Sequence, residues 1–319
     1  MVSSSINIAI LDDYQNVAFD IADWSGVQSR ANVVSFHDHL KDGPSLVERL
    51  SGFDALCVMR ERTPITETLL DRLPKLKLIV STGEVNAAID AAAAQRRGVR
   101  VAYTSYSSTP TIELTWALIL ASLRNIAVEA ASLKQGGWQL TVGSDLSGKT
   151  IGIIGLGNVG RGVAKVATAF GMRVIAWSKH LSVETAEQHG AILVSKEELL
   201  RNADIVTLHT VLSRRTTGMI GKTELELMKP SAYLINTSRG RLVDEDALLS
   251  ALRTKRIAGA AIDVYDSEPP PPDHPYRRVA SLLATPHIGY VTSGLYRRFY
   301  ADAVRHFLTW LDDFYINGS

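Results

Sequence analysis

Residues 149–177 read KTIGIIGLGNVGRGVAKVATAFGMRVIAW, and their order decides the fold. An apolar run, Ile151 to Ile154, leads into Gly155-Leu-Gly157-Asn-Val-Gly160. A segment of helical pattern follows, and then a second apolar run, Val174 to Trp177. Strand, glycine turn, helix and strand in that order are the context that gives G-x-G-x-x-G its meaning as a dinucleotide turn. Gly155 permits the tight turn, Gly157 lets backbone approach a pyrophosphate, and Gly160 lets the helix pack closely on the strand. The phosphates would sit on free N–H groups at the start of a helix predicted over 158–170, where the helix dipole favours negative charge.

Short apolar runs recur on both sides of this unit. Before it, Ile6–Leu11, Asn32–Phe36, Ala55–Met59 and Leu76–Val80 read as buried strands, with helical patterns at Ser45–Ser51 and Thr66–Leu73. After a long apolar helix, Thr111–Leu123, and the dinucleotide unit come Ile205–Leu208, Ala232–Ile235, Gly259–Ile262 and Leu282–Ala284. Strands alternating with helices imply an α/β protein with parallel sheets, here two doubly wound domains. The last helix, about Gly294–Phe314, carries Phe299, Val304, Phe307, Leu308 and Leu311 as an apolar stripe that needs a cover.

At 319 residues the chain is long enough for a large core and two domains. Hydrophobic residues at 46% and charged ones at 21% are values of a soluble globular protein. A net charge of +1 gives no bulk field for nucleic acid or an anionic membrane. The single cysteine, Cys57, lies in the apolar run Ala55–Met59 and reads as core. No apolar stretch approaches membrane-spanning length, and Met1–Ser5 lacks a signal-peptide pattern, so a cytoplasmic protein is expected. The histidines show no metal-ligand spacing, and His37 and His39 read as solvated.

Three late strands each run into a polar group. Ala232–Ile235 leads to Arg239-Gly240, Gly259–Ile262 to Asp263…Glu268-Pro, and Leu282–Ala284 to Thr285-Pro-His287-Ile-Gly289. Ligands of open parallel sheets lie beyond the carboxyl ends of the strands, so all three fall on the rim where a nicotinamide would arrive. Arginine presents a planar charged fork that matches a carboxylate. Histidine exchanges protons near neutral pH, and a carboxylate bonded to it fixes its tautomer. Spacing alone leaves Asp263, Asp266 and Glu268 as alternatives for that carboxylate.

Here the chain resembles the D-isomer-specific 2-hydroxyacid dehydrogenases. The resemblance runs through Thr82-Gly83 with Asn86 to Asp90, Glu113-Leu-Thr, the GLGNVG turn, Leu208-His-Thr, Asn236-Thr-Ser-Arg-Gly240, Asp244-Glu-Asp-Ala-Leu, Asp263-Val-Tyr, Ser267-Glu-Pro and Thr285-Pro-His-Ile-Gly289. It implies that Arg239 binds the substrate carboxylate, that His287 is the acid/base and that Glu268 is its partner. It further implies a flavodoxin-like substrate domain, residues 1–101 plus 291–319, interrupted by a Rossmann cofactor domain, residues 102–290. The last helix would then return to cover the first domain, and closure of the two domains would exclude water. Asn158, Val159, His209, Thr210, Thr237, Ser238, Asp263 and Gly289 would join the glycines around the dinucleotide. Thr82, Gly83, Glu84 and Val85 would present backbone N–H groups to the substrate carboxylate. A homodimer built through Arg124 to Val142 is also implied.

Two departures bear on specificity. NAD-preferring members carry an acidic residue about twenty positions past the glycines; this chain has Ser178, followed by Lys179 and His180. A hydroxyl beside a cation accepts a 2′-phosphate that a carboxylate would repel, so NADP is favoured over NAD. The substrate loop reads Thr-Gly-Glu84-Val85-Asn86 where the family commonly continues Val-Gly, and Glu84 is an odd neighbour for an anionic substrate. The leading expectation is hydride transfer between NAD(P)H and a small 2-keto or 2-hydroxy acid. The alternatives are a formate dehydrogenase-like enzyme, a corepressor-like dinucleotide sensor, a class that usually carries extra terminal segments where this sequence ends at Ser319 shortly after its last helix, and, last, another nucleotide enzyme such as one using S-adenosyl-methionine. Glu268 argues against the formate reading, because those enzymes resemble this one with glutamine beside the histidine.

Overall fold

The structure is a computed structural model that describes residues 6–317. Met1–Ser5 and Ser319, on which the signal-peptide and chain-end readings fall, lie outside the described residues. The chain divides into two units, Met1–Ser107 with Val291–Ser319, and Ser108–Tyr290.

The first unit holds a five-stranded sheet of β1 (Ile6–Ile10), β2 (Ala31–Ser35), β3 (Ala55–Val58), β4 (Leu78–Ser81) and β5 (Arg100–Tyr103). Its order is β2-β1-β3-β4-β5 and every pairing is parallel, the flavodoxin-like winding. β3 and β4 are buried along their whole length, which is why they read as unbroken apolar runs rather than alternating ones. β5 was not foreseen. It pairs with β4 and carries the first unit on to Ser107, so the boundary expected after residue 101 falls inside a strand.

The apolar stripe of the last helix, Ser293–Asn317, finds its cover in this same unit. Phe299, Tyr300, Phe307 and Leu311 are fully buried, and the Trp24 ring lies 6.2 Å from Tyr300 and 5.9 Å from Phe307. Each such side chain contributes about 1.5–3 kcal/mol by leaving water. Cys57 is core, as expected: burial, with a smaller contribution from the Asp13 charge, pushes its thiol up to about 12. His39 corrects the sequence reading. Its side chain is only 7% exposed and its Nδ1 lies 2.8 Å from buried Asp12; His37 is 47% exposed, with its Nδ1 3.1 Å from the Asp13 carbonyl.

The second unit holds seven parallel strands: β6 (Thr150–Ile154), β7 (Arg173–Trp177), β8 (Ile192–Leu193), β9 (Ile205–Leu208), β10 (Tyr233–Asn236), β11 (Gly259–Ile262) and β12 (Leu282–Ala284). Their order is β12-β11-β10-β9-β6-β7-β8, the doubly wound Rossmann arrangement with its switch point between β6 and β9. Register then does the positioning. Ile154, Leu208, Asn236, Ile262 and Ala284 pair in one row across the sheet, so the chain leaves five strands along a single edge. No single helix among the described residues is long and apolar enough to cross a membrane.

Candidate active site

The glycine turn leaves β6 at that edge. Gly155 has φ +101°, a conformation that disfavours any side chain, and a Cβ there would lie 2.4 Å from the His209 carbonyl oxygen. A Cβ on Gly160 would meet the Gly155 oxygen at 2.1 Å, whereas one on Gly157 would meet nothing within 4 Å. The turn is therefore closed towards the protein and open at its middle glycine. Gly157 precedes the Asn158–Ala169 helix without a side-chain cap, so the helix's first N–H groups lack the side-chain acceptor that ordinarily satisfies one of them. His209 Nε2 pairs with the Thr207 hydroxyl at 2.9 Å, while its Nδ1 is buried without a protein partner. Burial lowers its pKa to about 3, so the ring is neutral. An open phosphate cradle and an orphaned ring nitrogen fit a dinucleotide.

At the end of β7, Ser178 Oγ accepts the Leu156 N–H at 3.1 Å. Arg161 Nε donates to the Leu156 carbonyl at 3.1 Å, a basic neighbour of the turn that the sequence reading did not single out. Lys179 and His180 are exposed. Thr237 shares a hydrogen bond with Thr115, and Ser238 donates to the Leu208 carbonyl, so both brace the edge.

Three strand ends carry the candidate groups Arg239, Glu268 and His287. After β10, the Asn236 side chain accepts from Ser238 N–H and donates to the Arg239 carbonyl, while Arg239 Nη1 donates to the Ser238 carbonyl at 2.7 Å. After β12, His287 adopts φ +53°, and its Nδ1 lies 2.5 Å from Glu268 Oε2. Glu268 Oε1 accepts the Tyr265 N–H at 3.0 Å.

Spacing left three carboxylates open, and the geometry separates them. Asp263, 1% exposed, accepts from Thr285 Oγ1, Ile288 N–H and Gly289 N–H. It clamps the loop that carries His287. Burial raises its pKa in spite of those donors. Asp266, raised by burial and lowered by Arg241, makes no bond to His287.

The first unit's loop after β4 departs from expectation. Thr82 N–H is spent on the Val58 carbonyl and Gly83 N–H on Thr104 Oγ1 at 2.7 Å, so neither is open to a substrate. Glu84 is exposed and Val85 is 71% exposed. Arg60, which the sequence reading missed, sits against this loop in a left-handed conformation, φ +51°. Its N–H and Nη1 donate to Thr82, and its guanidinium lies 5.1 Å from the Tyr106 ring centroid. Gly83 has to be glycine here, since φ is +91° and a Cβ would overlap the Arg60 guanidinium.

Fold and site together define a Rossmann-type dinucleotide protein with a carboxylate–histidine pair on its ligand edge. Comparison with known proteins narrows the class. The family described as D-isomer specific 2-hydroxyacid dehydrogenase, NAD binding domain, matches residues 116–289. A D-3-phosphoglycerate dehydrogenase of Methanocaldococcus jannaschii is 40% identical over 251 residues, 77% of this chain and 48% of the relative. A glyoxylate reductase of Thermococcus litoralis is 38% identical over 257 residues, 77% of each chain. The crystal structure of a phosphoglycerate oxidoreductase from Vibrio cholerae O395 superposes with TM-score 0.92 at 38% identity, covering 97% of this chain and 99% of the other. The chain spans about half the length of the first two curated relatives it matches, 48% and 47%. This chain belongs to the D-isomer specific 2-hydroxyacid dehydrogenase family, and a nicotinamide dinucleotide is its cofactor.

Proposed function

We propose that this protein is an oxidoreductase that interconverts small 2-keto acids and D-2-hydroxy acids. One observation carries the reading: His287, left-handed and clamped by Asp263, holds Glu268 at 2.5 Å on the cofactor edge of the sheet. A carboxylate can only accept, so the imidazole proton it binds sits on Nδ1 and leaves Nε2 to exchange a proton with the substrate oxygen. The bound nicotinamide supplies the hydride. Arg239 grips the substrate carboxylate bidentately, His287 protonates the developing alkoxide, and Glu268 steadies the imidazolium. In this reading Ser108–Tyr290 is the cofactor unit and Met1–Ser107 with Val291–Ser319 the substrate unit. A formate dehydrogenase-like or corepressor-like role is not favoured.

NADP is the preferred dinucleotide in this proposal. In its support, Ser178 and Arg161 bond to Leu156 of the turn and Lys179 follows Ser178 on the surface, a hydroxyl and two cations with no ion pair to either cation among the described residues. A cytoplasmic homodimer belongs to the same reading. The Ile126–Lys134 helix buries none of its residues, and Leu133, Trp138, Leu140 and Val142 are 61–97% exposed, an apolar surface that a second copy would cover.

The test is a matrix of glyoxylate, pyruvate and hydroxypyruvate against NADH and NADPH, read by nicotinamide absorbance. Turnover should appear, be abolished by His287→Ala, and leave dinucleotide affinity within about twofold. No turnover with any 2-keto acid sinks the proposal.

A further inference from the structure

We infer that Tyr265 is a positioning residue that holds His287, Glu268 and Arg239 to one another. The inference rests on the acid/base reading of His287 given above. Three separate contacts converge on this one residue. Its N–H donates to Glu268 Oε1 at 3.0 Å. Its hydroxyl donates to the Thr285 carbonyl at 2.9 Å, two residues before His287. Its own carbonyl carbon and oxygen lie 2.1 and 2.3 Å from where a Cβ on Gly240 would stand, so the Arg239-Gly240 turn rests directly on the Tyr265–Asp266 peptide.

The residue is itself held firmly. Its ring packs on the core that contains Ile262, with His274 at 6.1 Å and Tyr276 at 6.4 Å. Asp263, Glu268 and Arg277 are the charged groups that face the phenol, and burial is the main cause that pushes it up to about 12, so it stays a donor across the working range of pH. Facing His287 are Glu268 and Asp263, with the Tyr290 ring at 5.6 Å. Each of the three reactive groups comes from a different strand end. Without a common anchor their separations would follow the independent motions of three loops, and small misplacements of reacting groups cost large factors in rate.

Tyr265→Phe removes only the hydroxyl tether. The expected result is a kcat about tenfold lower with KM for the keto acid and dinucleotide affinity little changed. The downfield proton NMR signal of the His287 Nδ1–H···Glu268 bond should broaden or move. An unchanged signal and unchanged kcat overturn the inference. A lower melting temperature with the signal intact also overturns it, because that makes Tyr265 merely structural. Gly240→Ala tests the second arm: pushing the Tyr265–Asp266 peptide should raise KM and lower kcat together, and an unaltered KM refutes the link to Arg239. The NMR signal reads positioning without turnover. Full activity in His287→Ala would therefore sink the acid/base reading separately from the placement of the pair.

Discussion

Glu268→Gln is the sharpest probe of the proposed chemistry. The carboxylate accepts two bonds, one from Tyr265 N–H at 3.0 Å and one from His287 Nδ1 at 2.5 Å. Glutamine has nearly the same shape but one acceptor oxygen: with that oxygen on His287 its NH2 group faces the Tyr265 N–H, and with its NH2 on His287 the ring proton is moved to Nε2 and no acceptor is left for a charged imidazole. A hydrogen bond to a charged group contributes about 1.5–3 kcal/mol, a neutral one about 0.5–1.5. Unit charges about 4 Å apart at an effective dielectric near 20 attract by about 4 kcal/mol. Side-chain exposures of 19% for His287 and 23% for Glu268 leave water to screen part of that. A loss of about 2–3 kcal/mol is expected in the step where the imidazole is charged, which is a rate about 30–150-fold lower. Steady-state kcat for 2-keto acid reduction measures it, with dinucleotide affinity from fluorescence titration as the control. A kcat within about threefold of the parent would show that the carboxylate does not stabilise a charged histidine, and the mechanism would fall.

Other outcomes follow from the same geometry. Arg239→Lys replaces a planar fork with a point charge; KM for the keto acid should rise and kcat fall, each about tenfold or more, and unaltered constants would remove Arg239 from the substrate site. Ser178→Asp can keep accepting the Leu156 N–H while repelling a 2′-phosphate, so NADP affinity should drop about tenfold or more relative to NAD; undiminished NADP binding would place the 2′ site elsewhere. His209, neutral because burial lowers it from 6.5 to about 3, binds a proton in the unfolded chain but not in the folded one within that window. Stability should therefore fall by about 1.4 kcal/mol per unit from this group as pH drops through the window. Denaturant unfolding across pH 4–7 should show a shallower slope in His209→Gln, and parallel curves would contradict it.

Much of the second unit was legible because its central strands are largely buried and its turn needs particular residues. β9, β11 and β12 lie where the apolar runs ended, and Gly155 and Gly160 occupy positions no other residue fits. The choice of Glu268 among three carboxylates was legible only through the family resemblance and not from spacing. It depends on how the 263–268 loop folds back so that Tyr265 N–H meets the side chain, a contact with no periodicity. β5 was missed because Arg100-Val-Ala-Tyr103 is short, only half-buried and starts on an exposed charge. His39 looked solvated because its burial comes from Asp12, far away in sequence. The N–H groups of Thr82 and Gly83 were assigned to substrate since nothing local reveals that Val58 and Thr104 already accept from them.

The unit that contains β1 to β5 is discontinuous in the chain, and its last helix, Ser293–Asn317, arrives only after the whole Ser108–Tyr290 segment. During synthesis, therefore, the later-encoded unit can finish folding while the earlier one still waits with Trp24 and its neighbours uncovered. A nascent chain stalled before Ser293 presents a bare hydrophobic seam to chaperones and proteases, so damage to the closing helix should be felt first as poor yield rather than as poor catalysis.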